Sequence, residues 1–379
     1  MRFSKIVIKI ISATLALLCL VSLSSCTRSV FDGVEGTEDE LRTVGKIGDY
    51  EVLYDELYYL IMSCKDIMKL KYGEDMWKNE EDAAQYENEL REMVLGRITA
   101  NYAVLTLCED YGFKNVLKNK DIAKSVNSEI DSILYSFALQ NDIEVTLDQS
   151  MTGKLTYTYE KGGKKKALEY FRAALKDSYL SERVMRLTLA TEFAFERLTN
   201  ILTGEKNEII YSDADIEEFM FSDAFICTRH VFIQNDKHET VEANRALAEE
   251  ALAQYKSGSS MDELISSKYN DDVTAPVAGY YFTYSEMDEA YEKAAFALEV
   301  GEVSDIVETE DGFFIIERYK KSSSYMLGNI DTFAQQIIYA LVNQKVSERQ
   351  AELALDMNDF GASLEFYKIA VLEESKEEK

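Results

Sequence analysis

The sequence predicts an α+β chain, with long helical segments towards both ends and a compact β-rich block between them. Three observations predict it. The 379 residues contain one proline, Pro276, and proline is the main breaker of helices, so long helices are expected. Apolar residues on both sides of the centre recur at helical spacing. The texture changes at Asp223, where strand-like runs and short helices begin to alternate. Apolar residues make up 46% of the chain, enough for packed cores, and the length suggests two or three domains at ~150 residues each.

The N-terminus reads as an address. Arg2, Lys5 and Lys9 precede a fourteen-residue uncharged run, Ile10 to Leu23. That run suits a signal segment and falls short of the ~20 residues a spanning helix needs. It ends in Leu23-Ser24-Ser25-Cys26, which resembles a bacterial lipobox. The resemblance implies cleavage of residues 1–25 and lipidation of Cys26, and a two-chain lipid gives stable anchoring. Cleavage removes three positive charges, taking the net charge from −28 to −31. Residues 26–43 are polar and acidic and are expected to be a tether.

From Val44 to Val52 the pattern reads as a hairpin turning at Gly48-Asp49. Leu57, Leu60, Ile61, Cys64 and Met68 keep helical spacing, as do Leu90, Met93, Val94, Ile98 and Leu105. Asp121 is a candidate cap for a helix carrying Ile122, Val126, Ile130 and Ile133. Residues 145–163 lose the period and are expected to form either a strand or a projecting arm. One long helix is expected from Lys165 to Leu202, and Ser212 with Asp215 forms a capping-box pattern before Ile216. This helical, chaperone-like domain, 44–222, is expected to be completed by a C-terminal segment, 322–372. There Ile330 to Met357 is helical, Ser363 to Leu372 is a strand or helix, and 373–379 is a charged tail. The central block, 223–321, shows strands at 225–233, 304–309 and 313–319 and helices at 241–256, 261–269 and 288–298. Cys64 and Cys108 fall on apolar helix faces, and together with Cys227 they form no disulfide framework or zinc spacing.

Charge and histidine content exclude several functions. With 41 basic and 69 acidic residues, the chain repels phosphate backbones, so no nucleic-acid partner is expected. His230 and His238 are its two histidines, too few for a His-rich metal site, so no metal and no cofactor are expected.

The ordered motifs of the central block carry a resemblance. Arg229-His230-Val231-Phe232-Ile233, Tyr269-Asn270-Asp271-Asp272, Met287 to Phe296, Leu298-Glu299-Val300-Gly301-Glu302-Val303-Ser304 and Thr309 to Ile316 together resemble a parvulin-type peptidyl-prolyl isomerase domain. The surrounding layout is similar to PrsA-like and SurA-like extracytoplasmic foldases, in which helices before and after such a domain form a chaperone domain. The resemblance implies that His230 and Asp272 are the catalytic polar pair. It implies that Met287 and Tyr291 line a proline slot, with Ala278, Phe296 and Phe314 completing the substrate-binding set. Tyr291 stands where the family usually has Phe, and Ala278 where it often has Leu. Phe314 replaces the second histidine of the family's inner network, which a phenyl ring cannot complete. Pro276-Val277-Ala278-Gly279 replaces Gly-Asp-Leu-Gly and loses a glycine.

The last two departures, Phe314 and the lost glycine, predict weak catalysis. Rotating an amide requires no nucleophile or metal, because resonance alone sets its ~20 kcal/mol barrier. The expected function is a membrane-anchored extracytoplasmic foldase that isomerises X-Pro bonds in unfolded or newly secreted polypeptides, held to the membrane through lipid on Cys26. The alternative is a non-catalytic holdase that uses a degenerate parvulin domain to bind peptides. A solute-binding lipoprotein is a third reading, disfavoured by the weak two-lobe α/β signal.

Overall fold

The computed structural model describes residues 29–370 except 35, 152, 204–211, 236, 238–239 and 285. The leader, Cys26, His238 and the tail 373–379 lie outside the described residues. The chain divides into two compact units: one comprises the chain up to Leu198 together with the stretch from Lys345, and the other is Thr199–Gln344.

The first unit opens differently from the expected tether. Val30 is fully buried, its amide donates to the Leu117 carbonyl, and its own carbonyl accepts from Arg186. Arg42 lies 3.6 Å above the Phe360 ring. An apolar valine and an arginine with an aromatic partner gain more from packing than from hydration, so these residues join the fold. Next, β1 (Thr43–Ile47) and β2 (Tyr50–Leu53) form the expected antiparallel hairpin.

Helices α1 (Tyr54–Tyr72), α2 (Glu80–Ala84), α3 (Glu87–Asp110) and α4 (Lys120–Gln140) follow. Their apolar faces bury Leu57, Ile61, Cys64, Leu90, Val94, Ile98 and Cys108. Asn119, not Asp121, caps α4, because its side chain accepts the amides of Asp121 and Ile122. Residues 145–163 contain an antiparallel hairpin, β3 (Val145–Gln149) with β4 (Leu155–Tyr159).

The single helix expected over 165–202 is two helices, α5 (Gly163–Lys176) and α6 (Glu182–Leu202). Tyr179 turns left-handed at φ 62°, and the Leu180 amide closes on the Leu175 carbonyl at 2.9 Å. Ser181 then accepts the Val184 amide, restarting the helix. The break brings Arg183 onto buried Asp55, with Nη2–Oδ1 at 2.5 Å, and near buried Glu56 at 3.5 Å. Tyr102 donates to Glu56 at 3.0 Å.

The second unit takes in the last turn of α6, and its first complete element is α7 (Asp213–Phe221), capped by the expected Ser212/Asp215 box. Its sheet has the order β6-β5-β8-β7, with β5 (Ile226–Gln234), β6 (Tyr280–Phe282), β7 (Val307–Glu308) and β8 (Gly312–Tyr319). All pairings are antiparallel. Because side chains alternate across a strand, β5 presents two faces. Val231 and Ile233 pack with Phe313 and Ile315 under α8 (Val241–Lys256) and α9 (Met261–Ile265). Ile226, Ile316 and Phe282 pack on the other face under α10 (Glu289–Ala297).

A further cluster joins Ile216, Met220 and Phe225 to Met326 of α11 (Ser323–Gly328) and to Phe333 and Ile337 of α12 (Ile330–Glu352). The apolar start of α12 therefore finds burial within this unit, beside Phe225 at 5.4 Å between ring centres. The compact unit is wider than 223–321 at both ends. The helix expected to reach Met357 stops at Glu352, and β9 (Asp356–Met357) instead adds to the free edge of β1. After β9 comes a short α13 (Asp359–Ser363), and the stretch expected as one strand or helix from Ser363 holds, among its described residues, a 3-10 turn at Phe366–Lys368. It is fastened to the first unit by Lys65, which donates to the carbonyls of Tyr367 and Ile369 at 2.6 Å each. Glu87 accepts the Phe366 and Tyr367 amides.

Candidate active site

The site lies on the α10 side of the second unit's sheet. Thr228, His230 and Phe232 are alternate residues of β5, so all three face that side. In the β5–β8 register Phe232 lies opposite Phe314 and His230 opposite Ile316. The Phe232 and Phe314 rings stack at 4.3 Å. Beyond the stretch paired with β6, one edge of β5 is free. The loop after α9 takes that edge: the Asp271 amide donates to the Phe232 carbonyl at 2.7 Å, and Asn270 Oδ1 accepts the Phe232 amide at 3.0 Å. The loop thereby delivers Asp272 to His230, with Nε2–Oδ2 at 3.3 Å.

The Asp272 carboxylate is heavily donated to. Tyr280 OH bonds Oδ2, and the Thr274 amide and hydroxyl bond Oδ1 at 3.0 and 2.9 Å. Burial pushes its pKa up, but these bonds and the neighbouring imidazole outweigh burial and hold it below the ordinary carboxylate value. Asp272 is therefore an anion. His230 is 7% exposed, and burial lowers its pKa to about 4 against the opposing pull of Asp272, so its ring is neutral at pH 7. Tyr280 stacks on the imidazole at 4.8 Å and 8°, and Phe314 meets it edge-on at 5.1 Å.

His230 also has a second polar partner. Tyr291 OH lies 2.9 Å from Nδ1 and 2.8 Å from Thr228 Oγ1. Phe314 gives His230 a ring contact and no nitrogen, as expected, and the Tyr291 hydroxyl supplies Nδ1 with a polar partner instead. Sequence reasoning placed Tyr291 in the slot wall; the residue is 3% exposed, and its hydroxyl points into the network. Reading Thr228 and Tyr291 as one polar pair, at a strand position two before His230, was the available signal.

A cleft of about 530 Å³ opens over these groups. His230, Asp272, Met287, Tyr291 and Phe314 all line it, as do Phe232 and Tyr280, two residues that the sequence reading did not single out. Ala278 and Phe296 are not among its lining residues. The Ala278 carbonyl accepts from Cys227 Sγ at 3.5 Å. Phe296 stacks on Tyr284 at 4.1 Å and packs against Phe282, behind the cleft. The turn that lost a glycine still closes, because Gly279 holds φ 89° and donates to the Pro276 carbonyl at 2.9 Å. A Cβ there would meet Cys227 Sγ at 2.6 Å. The rim is acidic, with Asp271, Asp288 and Asp311 alongside Lys237. Among the described residues no group of His, Cys, Asp and Glu side chains has the arrangement of a metal site.

Chemically, the arrangement offers an apolar seat with one fixed anion at its side. Residues 219–322 match the model of the PPIC-type PPIASE domain. The chain is 25% identical over 268 residues to the "Foldase protein PrsA" of Bacillus subtilis (strain 168), covering 69% of this chain and 86% of that one. It is 41% identical over 80 residues to "Peptidyl-prolyl cis-trans isomerase pin1" of Schizosaccharomyces pombe, covering 21% of this chain and 46% of the relative. Among solved structures it is similar to PrsA from Streptococcus pneumoniae, at 15% identity and a TM-score of 0.30, covering 71% of this chain and 86% of that one. Residues 219–322 carry a parvulin-type peptidyl-prolyl isomerase domain, and the chain is similar to a PrsA foldase over 69% of its length.

Proposed function

We propose that the cleft seats an X-Pro segment of an unfolded polypeptide and catalyses cis-trans isomerisation of its prolyl bond. The observation that carries this reading is the neutral His230 and anionic Asp272 at the side of a seat walled by Phe232, Met287 and Phe314. The ring of a proline is small and apolar, and such walls take it out of water. A planar amide carries negative charge on its oxygen through resonance, and rotation removes that resonance. A fixed carboxylate beside the oxygen therefore repels the planar amide more than the twisted one. Only such differential binding lowers the barrier, and a carboxylate already held by its donors needs no reorganisation during the reaction. Asp272 is the charged group of this mechanism, His230 holds it, and Met287, Phe314 and the half-buried Phe232 bind the ring.

The domain that performs this is 223–321, within the wider second unit, and the helical first unit, up to Leu198 and from Lys345, is the client-binding part of this reading. The PrsA relative is named a foldase, which supports newly secreted polypeptides as clients. The leader and lipobox support an extracytoplasmic site of action, with Cys26 lipidated and holding the chain to the membrane.

Exchange spectroscopy on an X-Pro peptide with the full chain tests the reading. Catalysed exchange is expected, with a fall on Asp272→Asn. Met287→Ala removes about half a methionine's worth of burial, about 1 kcal/mol, and should weaken peptide binding roughly fivefold. Peptide binding without any catalysed exchange would replace this reading with the holdase.

A further inference from the structure

Three side chains connect Asp272 to the interior of the sheet, and their donors can be assigned. Asp272, as an anion, only accepts hydrogen bonds. The His230 nitrogen 3.3 Å from it, Nε2, must then carry the ring's proton. In a neutral imidazole the other nitrogen, Nδ1, is left as an acceptor. Tyr291 OH, 2.9 Å away, must donate to it and spends its one proton doing so. Thr228 Oγ1, 2.8 Å from the Tyr291 oxygen, is then the donor to Tyr291. All four groups are satisfied in this one direction. The reverse direction would point a bare Nε2 lone pair at a carboxylate.

We propose that Tyr291, backed by Thr228, is the positioning residue of the site: its hydroxyl donates to His230 Nδ1, fixes the ring as the Nε2–H tautomer and so aims that N–H at Asp272. The assignment rests on the isomerase reading for its consequence, and on geometry alone for its existence. Tyr291 also lines the cleft, so rate and affinity are read separately below. His230 is held from several sides: Tyr280 stacks on one face, Phe314 stands perpendicular to the ring, Nδ1 bonds Tyr291 OH, and Nε2 lies 3.3 Å from Asp272. Removing the tyrosine oxygen leaves Nδ1 buried with no donor. The ring then gains from turning over to find one, and the carboxylate loses its third donor side chain.

Two independent readouts test this on the full chain. The chain has two histidines, so 15N-histidine labelling gives two ring systems, and a His238→Gln variant identifies His230. A pyrrole-like Nε2 and a pyridine-like Nδ1 shifted by an accepted hydrogen bond are expected for His230. Tyr291→Phe should move the Nδ1 resonance towards that of an unbonded pyridine-like nitrogen. An Nδ1–H tautomer, or an Nδ1 resonance unmoved in Tyr291→Phe, overturns the relay whether or not the chain isomerises anything.

The second readout is catalytic. Tyr291→Phe should slow catalysed exchange roughly tenfold, the scale of one lost buried hydrogen bond to a positioned group, with peptide affinity changed less than twofold. Loss of affinity in parallel with rate would make Tyr291 a wall of the seat and overturn the positioning role. Should Tyr291→Phe fail to fold, Thr228→Val and Thr228→Ser separate the outcomes. Serine keeps the donor and should retain wild-type exchange and Nδ1 shift, whereas valine should lower both. Equal behaviour of the two variants counts against the relay. In Tyr291→Phe/Phe314→His, an imidazole stands where a ring now lies 5.1 Å from His230. Because Phe314 also walls the seat, the readout here is the His230 Nδ1 resonance: its return to the bonded position is expected, and an unbonded position counts against the relay. Wild-type exchange at the uncatalysed rate with the tautomer as assigned would reject the isomerase reading and leave the relay standing.

Discussion

Acidification should destabilise the second unit through one residue, His230. An unfolded chain protonates this imidazole near 6.5, and burial in the fold delays protonation to about 4. The folded pKa is depressed, so between those values the unfolded chain binds the extra proton. Stability is then full above pH 6.5, falls as the pH drops, and levels off below 4. Each tenfold in proton affinity is worth about 1.4 kcal/mol, so the whole window costs about 3 kcal/mol, a large fraction of a domain's total. The groups facing the ring sharpen the window. Asp272 opposes the shift and is held below the ordinary carboxylate value, so its own protonation comes at lower pH. Tyr280 and Tyr291 are pushed well above 10 by burial and do not titrate there. The assay is hydrogen exchange of the β5 and β8 amides in the full chain, corrected for intrinsic rates, for wild type and His230→Gln. Protection of the wild type should fall by about 3 kcal/mol more than that of the variant between pH 6.5 and 4. Parallel curves, or direct titration of His230 at or above 6.5, would refute the burial argument.

The first unit should respond with the opposite sign. Glu56 is fully buried among Asp55, Tyr102 and Arg183, and burial raises its pKa to about 7. The folded state then holds a proton that the unfolded chain has released, so stability falls as pH rises from 4.5 through 7. Urea unfolding followed by Trp77 fluorescence should show this loss in wild type and not in Glu56→Gln; a wild-type curve flat from pH 5 to 8 would contradict it. At the N-terminus, Cys26→Ala should abolish incorporation of a labelled fatty acid and leave an uncut precursor, and persistent labelling would place the lipid elsewhere.

Much of the fold was legible because it follows from period and punctuation. The β1–β2 hairpin was visible in its Gly48-Asp49 turn, and α7 in the Ser212/Asp215 box. What failed was whatever depended on a partner distant in sequence. Nothing in residues 177–181 breaks a helical period, yet a left-handed Tyr179 divides α5 from α6, and the rest of α6's first turn is fixed by Asp55, more than a hundred residues earlier. Val30 reads as one valine in a polar tether until Leu117 and Arg186 are beside it. The apolar face of α12 was evident, but nothing within the helix says that Phe225 and Met220 cover its start.

The site was legible as a set of residues and not as a circuit. Family resemblance pointed to His230 and Asp272, read Tyr291 as a slot wall standing where Phe is usual, and took Phe314 as a departure that argued for damage. Phe314 removes a ring nitrogen, and Tyr291 puts a polar group where an apolar ring is usual. A buried hydroxyl without a partner costs about 1–3 kcal/mol, so the tyrosine alone would be expensive. A buried Nδ1 without a donor costs a similar amount, so the phenylalanine alone would be expensive too. Together each removes the other's penalty, because Tyr291 OH lies 2.9 Å from Nδ1, and Thr228 absorbs the remaining lone pair. Substitutions read one position at a time miss this, since the energy belongs to the pair. The physical requirement at His230 is a hydrogen-bond donor facing Nδ1, and a phenol hydroxyl reaching from α10 meets it as well as an imidazole reaching from β8.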